Sequence, residues 1–192
     1  MPDFPHDDDV CGALEEHVRR IFSTGTVDVL PPPPGPINTV NPHFRVLRVT
    51  PKARRGLWLY ISNGGWAATE NLPQGLEFVI VTPFATPTAV DLLTMTVFYN
   101  DGGRLALGQT VSVGMPWLPG SQCNYLLLSR PYPLGPDFQA SDIGDRHVDY
   151  LWLLPITEAE RNFKVEHGIE ALEERFDSVG LRYGDVKRSS VV

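Results

Sequence analysis

Residues 57–82, LWLYISNGGWAATENLPQGLEFVIVT, hold the stretch on which the fold turns. Leu57, Leu59 and Ile61 alternate with Trp58 and Tyr60, so both faces of this segment carry large apolar groups. That pattern fits a strand covered on two sides, at the centre of a sheet rather than at its edge. Asn63-Gly64-Gly65 then stops it, because glycine supplies the positive-φ conformations a tight turn needs. Trp66 follows at once and either tucks over the end of the sheet, the commoner outcome, or stands out as a contact residue. Residues 75–83 form a second strand, with Leu76, Phe78 and Ile80 opposite Glu77, Val79 and Val81.

Upstream, residues 43–50 read as a strand joined to 57–62 by a basic turn containing Lys52, Arg54 and Arg55. LPPPPGP, 30–36, is a stiff polyproline-like connection that carries the chain around its own domain, or binds an aromatic groove elsewhere. Val10, Leu14, Val18 and Ile21 form one helical stripe behind Asp7-Asp8-Asp9, predicting a helix over about 8–22. HDDD at 6–9 reads as the start of that helix and not as a metal cluster, since consecutive side chains do not converge on one ion.

Downstream, AVDLLTMTVFY within 88–99 is apolar all round and is read as a buried helix ended by Gly102-Gly103. RLALGQTVSVG (104–114) and NYLLLSRPY (124–132) are short extended pieces, and 147–157 is a long late strand. Thr157 and Glu160 in TEAE form a capping box. Gly168 interrupts the helix that follows. Ile169, Leu172, Phe176 and Val179 then begin a new apolar stripe, which Gly180 ends. Glu170, Glu173, Glu174 and Asp177 occupy the other face. Glu158 to Asp177 hold seven acids against three bases, more than half of the chain's net charge of −7.

The 192 residues suit one domain able to bury a core without disulfides or metal. The acidic balance argues against non-specific nucleic-acid binding or an anionic membrane and suits a basic protein partner. Cys11 and Cys123 lack metal-ligand spacing and read as reduced thiols of a cytoplasmic protein. The acidic Met1–Asp9 has no apolar core of a signal peptide, and no apolar run is long enough to span a bilayer.

No phosphate loop, dinucleotide fingerprint or zinc-protease helix is present. TVSVG around Ser112 lacks the first glycine of a nucleophile elbow. Cys123 with His147 and Asp149 is one candidate nucleophile, base and orienter, although a buried structural thiol suits its apolar surroundings better. The densest polar stretch, DFQASDIGDRHVDY (137–150), gathers Asp137, Asp142, Asp145, His147 and Asp149. As a loop feeding a strand it offers a hydrolase or metal-dependent site, against the plainer role of aspartate in turns. No cofactor or metal ligand set is assigned.

Taken in order, WLYISNGG, LEFVIVT, the helix near 88–99, YLWLLPITEAERNFKVEHGIEALEERF and the terminal DVKRSSVV resemble the suppressor of fused domain, in the manner of its bacterial single-domain members, over about residues 40–192. The resemblance implies an α/β (α+β) fold: a mixed, largely antiparallel sheet packed with helices in a single domain. It implies a non-catalytic protein-binding module with no catalytic residues to carry over. Animal relatives restrain zinc-finger transcription factors, but this chain matches only their N-terminal-type domain. Many bacterial relatives resemble immunity proteins that neutralise a toxin of a polymorphic toxin system, and an acidic inhibitor suits a basic toxin. The expected partner contacts are Trp66 and Trp117 on loops and Glu170, Glu173 and Glu174 on the acidic helix.

Overall fold

The computed structural model describes residues 7–69 and 74–192. The elements run α1 (Asp7–Ile21), β1 (Thr26–Leu30), α2 (Ile37–Val40), β2 (Arg45–Thr50), β3 (Trp58–Asn63), β4 (Gln74–Thr82), α3 (Pro87–Tyr99), β5 (Thr110–Ser112), β6 (Tyr125–Ser129), β7 (Ala140–Ile143), β8 (Arg146–Ile156), α4 (Glu158–His167) and α5 (Ile169–Val179). The strands make one sheet in the order β1-β2-β3-β4-β8-β6-β5, with β7 also paired to β8. β4 and β8 run parallel, and every other pairing is antiparallel. The mixed, largely antiparallel α+β architecture expected from the sequence is therefore present.

Alternation along the central strands sends side chains to two cores. One face buries Val79, Val148, Tyr150, Trp152 and Leu154 under α1 and α5, through Val10, Leu14, Val18, Leu172 and Phe176. The other buries Tyr60, Phe78, Ile80, Leu151 and Leu153 under α3, through Ala89, Leu92, Leu93 and Val97. β3 is thus the two-sided scaffold strand that its sequence describes. β4 is buried from Glu77 to Thr82 on both faces: Val79 and Val81 join the core beneath α1, and the turn that follows β3 closes over Glu77.

Helix α3 begins where expected, with Thr86 as N-cap accepting from Thr88 N–H. It is not buried all round. Met95, Phe98 and Tyr99 stand 37%, 45% and 52% exposed, since the sheet covers only one side of the helix. Three elements, the short α2 among them, fall in stretches given no regular structure by the sequence reading. Edge strand β1 pairs with β2, and β7 lies inside the polar stretch read as a loop. β7 makes that stretch a hairpin, with Asp142 directly across from His147.

The C-terminal third matches its local signals closely. Thr157 Oγ1 accepts from Glu160 N–H at 3.2 Å, and Glu160 Oε2 accepts from Thr157 N–H at 2.8 Å, completing the box. α4 ends at His167 and α5 starts at Ile169, on either side of Gly168. Gly180 sits in the left-handed region at φ 61°. Gly180 N–H donates to Asp177 O and Leu181 N–H to Phe176 O, both at 3.0 Å, the two bonds of a Schellman ending. Val179 does not finish the apolar stripe, being 58% exposed. Leu181 packs on the core in its place, because the Schellman turn folds the residue after Gly180 back over Phe176.

The final segment is tied to the capping box. Arg188 donates to Glu160 Oε1 at 2.6 Å, to Glu160 Oε2 at 2.8 Å and to Pro155 O at 2.9 Å. Val191 N–H donates to Glu160 Oε1 as well, at 3.1 Å. Glu160 is fully buried, so this fork-on-fork pair supplies the compensation that a buried carboxylate requires. The side chains of Asp7 and Asp8, and His6, lie outside the described residues, as does the capping role expected of them.

Candidate functional site

The Asn63-Gly64-Gly65 turn wraps around a carboxylate. Glu77 is completely buried and accepts from Gly64 N–H at 2.8 Å, Trp66 N–H at 3.3 Å and the hydroxyl of Ser62. A side chain at position 65 would meet Glu77 Oε2 at 2.9 Å and Leu76 O at 3.0 Å, and Gly64 adopts φ 110°. The two glycines let backbone N–H groups close on the carboxylate. Burial nevertheless raises the Glu77 pKa from 4.5 to about 7, opposed by these hydrogen bonds. Trp66 lies over the sheet end, 1% exposed, with the Arg146 guanidinium 4.6 Å from its ring.

The polar stretch 137–150 builds one wall of an open groove of about 590 Å³ at the start of β8. His147 Nδ1 lies 2.6 Å from Asp142 Oδ1, and its Nε2 lies 3.4 Å from Asp149 Oδ1. Asp149 also accepts from Gln74 and lies 3.8 Å from Arg130. The hydrogen bond with Asp142 raises the His147 pKa, with Asp149 adding to it. On the facing helix, Arg20 donates to His17 Nδ1 at 3.0 Å, leaving the proton of that imidazole on Nε2. Burial, then the Arg20 charge, lowers the His17 pKa. Asp137 also lines the groove; Asp145 sits in the turn between β7 and β8. Among the described residues, no group of three His, Cys, Asp or Glu side chains could hold a metal ion.

Cys123 is 2% exposed in the α3-side core, and burial raises its thiol pKa. It does not meet His147. The next residue, Asn124, bonds Ile156 at the far end of β8. His147 lies nine residues back along that strand, about 30 Å away at strand rise.

Arg130 also borders a second, smaller cavity of about 190 Å³. Its walls come from Ser129, Tyr132, Trp152, Phe176 and Tyr183, with Glu173 and Asp177 of α5 among the lining groups. Trp152 and Tyr183 meet edge to face, with centroids 4.5 Å apart. Ser129 Oγ donates to Glu173 Oε1 at 2.7 Å.

The expected contact residues divide accordingly. Glu170 and Glu174 are exposed, while Glu173 is half-buried at the cavity. Trp66 and Trp117 are 1% and 3% exposed, so neither indole offers a surface to a partner in this fold. Large aromatic area is removed from water when a core can take it, and the loops carrying both fold inward. The aromatic cavity was missed because Trp152 and Tyr183 are separated in sequence and only α5 brings carboxylates to them.

Comparison with known proteins agrees with the architecture. The family model described as suppressor of fused protein matches residues 41–189. The crystal structure of a suppressor of fused homolog from Neisseria gonorrhoeae is similar at 32% identity and TM-score 0.85, covering 96% of this chain and 98% of that one. The Sufu–Fu complex structure shares the fold at 12% identity and TM-score 0.68, over 95% of this chain and 92% of that one. Drosophila Suppressor of Fused does so at 13% identity and TM-score 0.60, over 93% of this chain and half of that one. No curated protein matches significantly.

Proposed function

Because the chain belongs to the suppressor of fused family, we propose that it is a non-catalytic protein-binding module whose partner is basic, and that this partner is a toxin it neutralises in the cytoplasm as the immunity protein of a bacterial polymorphic toxin system. The observation that carries the charge preference is the outer face of α4 and α5, where Glu158, Glu166, Glu170, Glu174 and Asp177 are all exposed. Three bases, Arg161, Lys164 and Arg175, share these helices, and the net acidic field that remains speeds encounter with an opposite surface and disfavours wrong partners. A relative of the same fold was crystallised as a Sufu–Fu complex, which supports binding as the family's mode of action.

The Asp137–Asp149 groove supports the alternative, a hydrolase or metal-dependent enzyme, less well. Both ring nitrogens of His147 face carboxylates, an arrangement that holds an imidazolium in place. A general base needs a ring nitrogen open to the substrate proton.

The test is co-expression with the proteins encoded beside this gene. The expected result is that one of them is basic and toxic alone, is tolerated when this chain is present, and elutes with it as a stoichiometric complex. Toxicity that persists despite soluble expression of this chain, with no complex to any neighbour, removes the immunity reading. Rescue that is lost in His147→Ala while the complex still forms favours the enzyme.

A further inference from the structure

We propose that the 190 Å³ cavity between α5, β8 and the segment carrying Tyr183 seats one arginine side chain of a protein partner. This rests on the binding-module reading and names the chemistry by which such a partner is anchored.

Size comes first. Pockets for small-molecule ligands usually hold about 300–1,000 Å³. A cavity of 190 Å³ has room for roughly six waters, the scale of a single long side chain. The walls come next. Trp152 and Tyr183 form an aromatic corner, Phe176 lies beside them, and Tyr132 stands at the opening, 61% exposed. The faces of such rings attract a cation. The fold already uses this contact internally, with Arg146 over Trp66.

Charge completes the case. Glu173 and Asp177 are four residues apart on α5, where like charges repel along the helix, and both line the cavity. Their charges also raise the Tyr183 pKa, after burial. Ser129 orients Glu173 through one oxygen, and a carboxylate has lone pairs for further donors. Of the nearby cations, Arg130 pairs with Asp149 in the neighbouring groove, and Arg188, whose guanidinium lies 5.7 Å from the Phe176 ring, is held by Glu160. A further cation is therefore wanted where the two α5 carboxylates meet the aromatic walls. A guanidinium suits this place better than an ammonium, because it is planar, stacks on aromatic faces and offers forked donors to carboxylates.

The experiment titrates ¹⁵N-labelled protein with N-acetyl-arginine amide, its neutral isostere N-acetyl-citrulline amide, and N-acetyl-lysine amide. The readout is the Trp152 indole N–H resonance, assigned with Trp152→Phe. The arginine probe is expected to give a saturable shift in the millimolar range, with citrulline about tenfold weaker and lysine in between. Glu173→Gln, which keeps volume and removes the charge, and Tyr183→Leu, which removes the aromatic face, should each weaken the arginine probe about tenfold, with unchanged melting behaviour for Glu173→Gln. Equal binding of arginine and citrulline, tighter binding of lysine, or no saturable shift overturns the proposal. A protein partner that binds the wild type and both variants alike also refutes the cavity while leaving the binding-module reading intact. Arginine binding here with no basic protein partner retains the cavity and refutes that reading.

Discussion

Glu77 makes the stability of this protein depend on pH in a direction opposite to that of most carboxylates. Its folded pKa is about 7 against an ordinary 4.5. Between those values the folded state keeps a proton that the unfolded state has released, so stability falls as pH rises through the window and levels off above about 7. A rise of that size corresponds to about 3 kcal/mol, a large share of the stability of a domain. Glu77→Gln fixes the neutral form in place. Its carbonyl oxygen can take the Gly64 and Trp66 N–H groups, and its amide can donate to Ser62 Oγ. Urea unfolding of both proteins at about pH 5 and about pH 8.5 gives the measurement. The wild type should lose about 2.5 kcal/mol more than the variant between the two, slightly less than the whole shift because the unfolded carboxyl is already mostly ionised at the lower pH. His147, whose pKa is also raised, contributes stability below its unfolded pKa that is lost as pH rises. It does so in both proteins and cancels from the difference. Curves that stay parallel across the range would refute the reasoning, and would mean that the turn solvates the carboxylate as well as water does.

Arg188→Met leaves Glu160 buried without its cation and should cost about 3 to 5 kcal/mol in denaturant unfolding, with part recovered by adding Glu160→Gln. Thr157→Ala removes the N-cap oxygen and should cost about 1 kcal/mol by the same measurement. Reversing Glu170 and Glu174 to lysine should leave the melting temperature unchanged and slow association with a basic partner at low salt, in stopped-flow records, with the difference shrinking as salt is added.

What the sequence made legible was local. The capping box needs only Thr157 and Glu160 three residues apart, the Gly180 ending depends on one residue's φ, and the two-sided β3 shows in its own alternation. What stayed hidden depends on partners distant in sequence. Glu77 sits in phase with Val79 and Val81, and its enclosure comes from Ser62, Gly64 and Trp66 of the preceding strand and turn. Glu160 looks like a simple cap until Arg188, 28 residues on, folds back to it. Asp142 reads as a loop residue ahead of the strand that His147 opens, although pairing across a tight turn makes the two cross-strand neighbours. Trp66 and Trp117 carry the same local signal whether buried or exposed, and only packing decides between the two. The family resemblance supplied the sheet's overall character, which periodicity alone did not determine.

The single parallel ladder among the described strands has a kinetic consequence. β1 to β4 form an antiparallel meander, and β5 to β8 form a second antiparallel set. They join only where β4 meets β8, with residue 74 opposite residue 147. Each half can zip through short-range closures, whereas the seam must wait for a long loop to close at an entropic cost. Docking of the two halves should therefore limit the refolding rate. Trimming Phe78 or Leu151, which face one another across that seam, should slow folding more than trimming Val49 in the first meander, for an equal loss of stability.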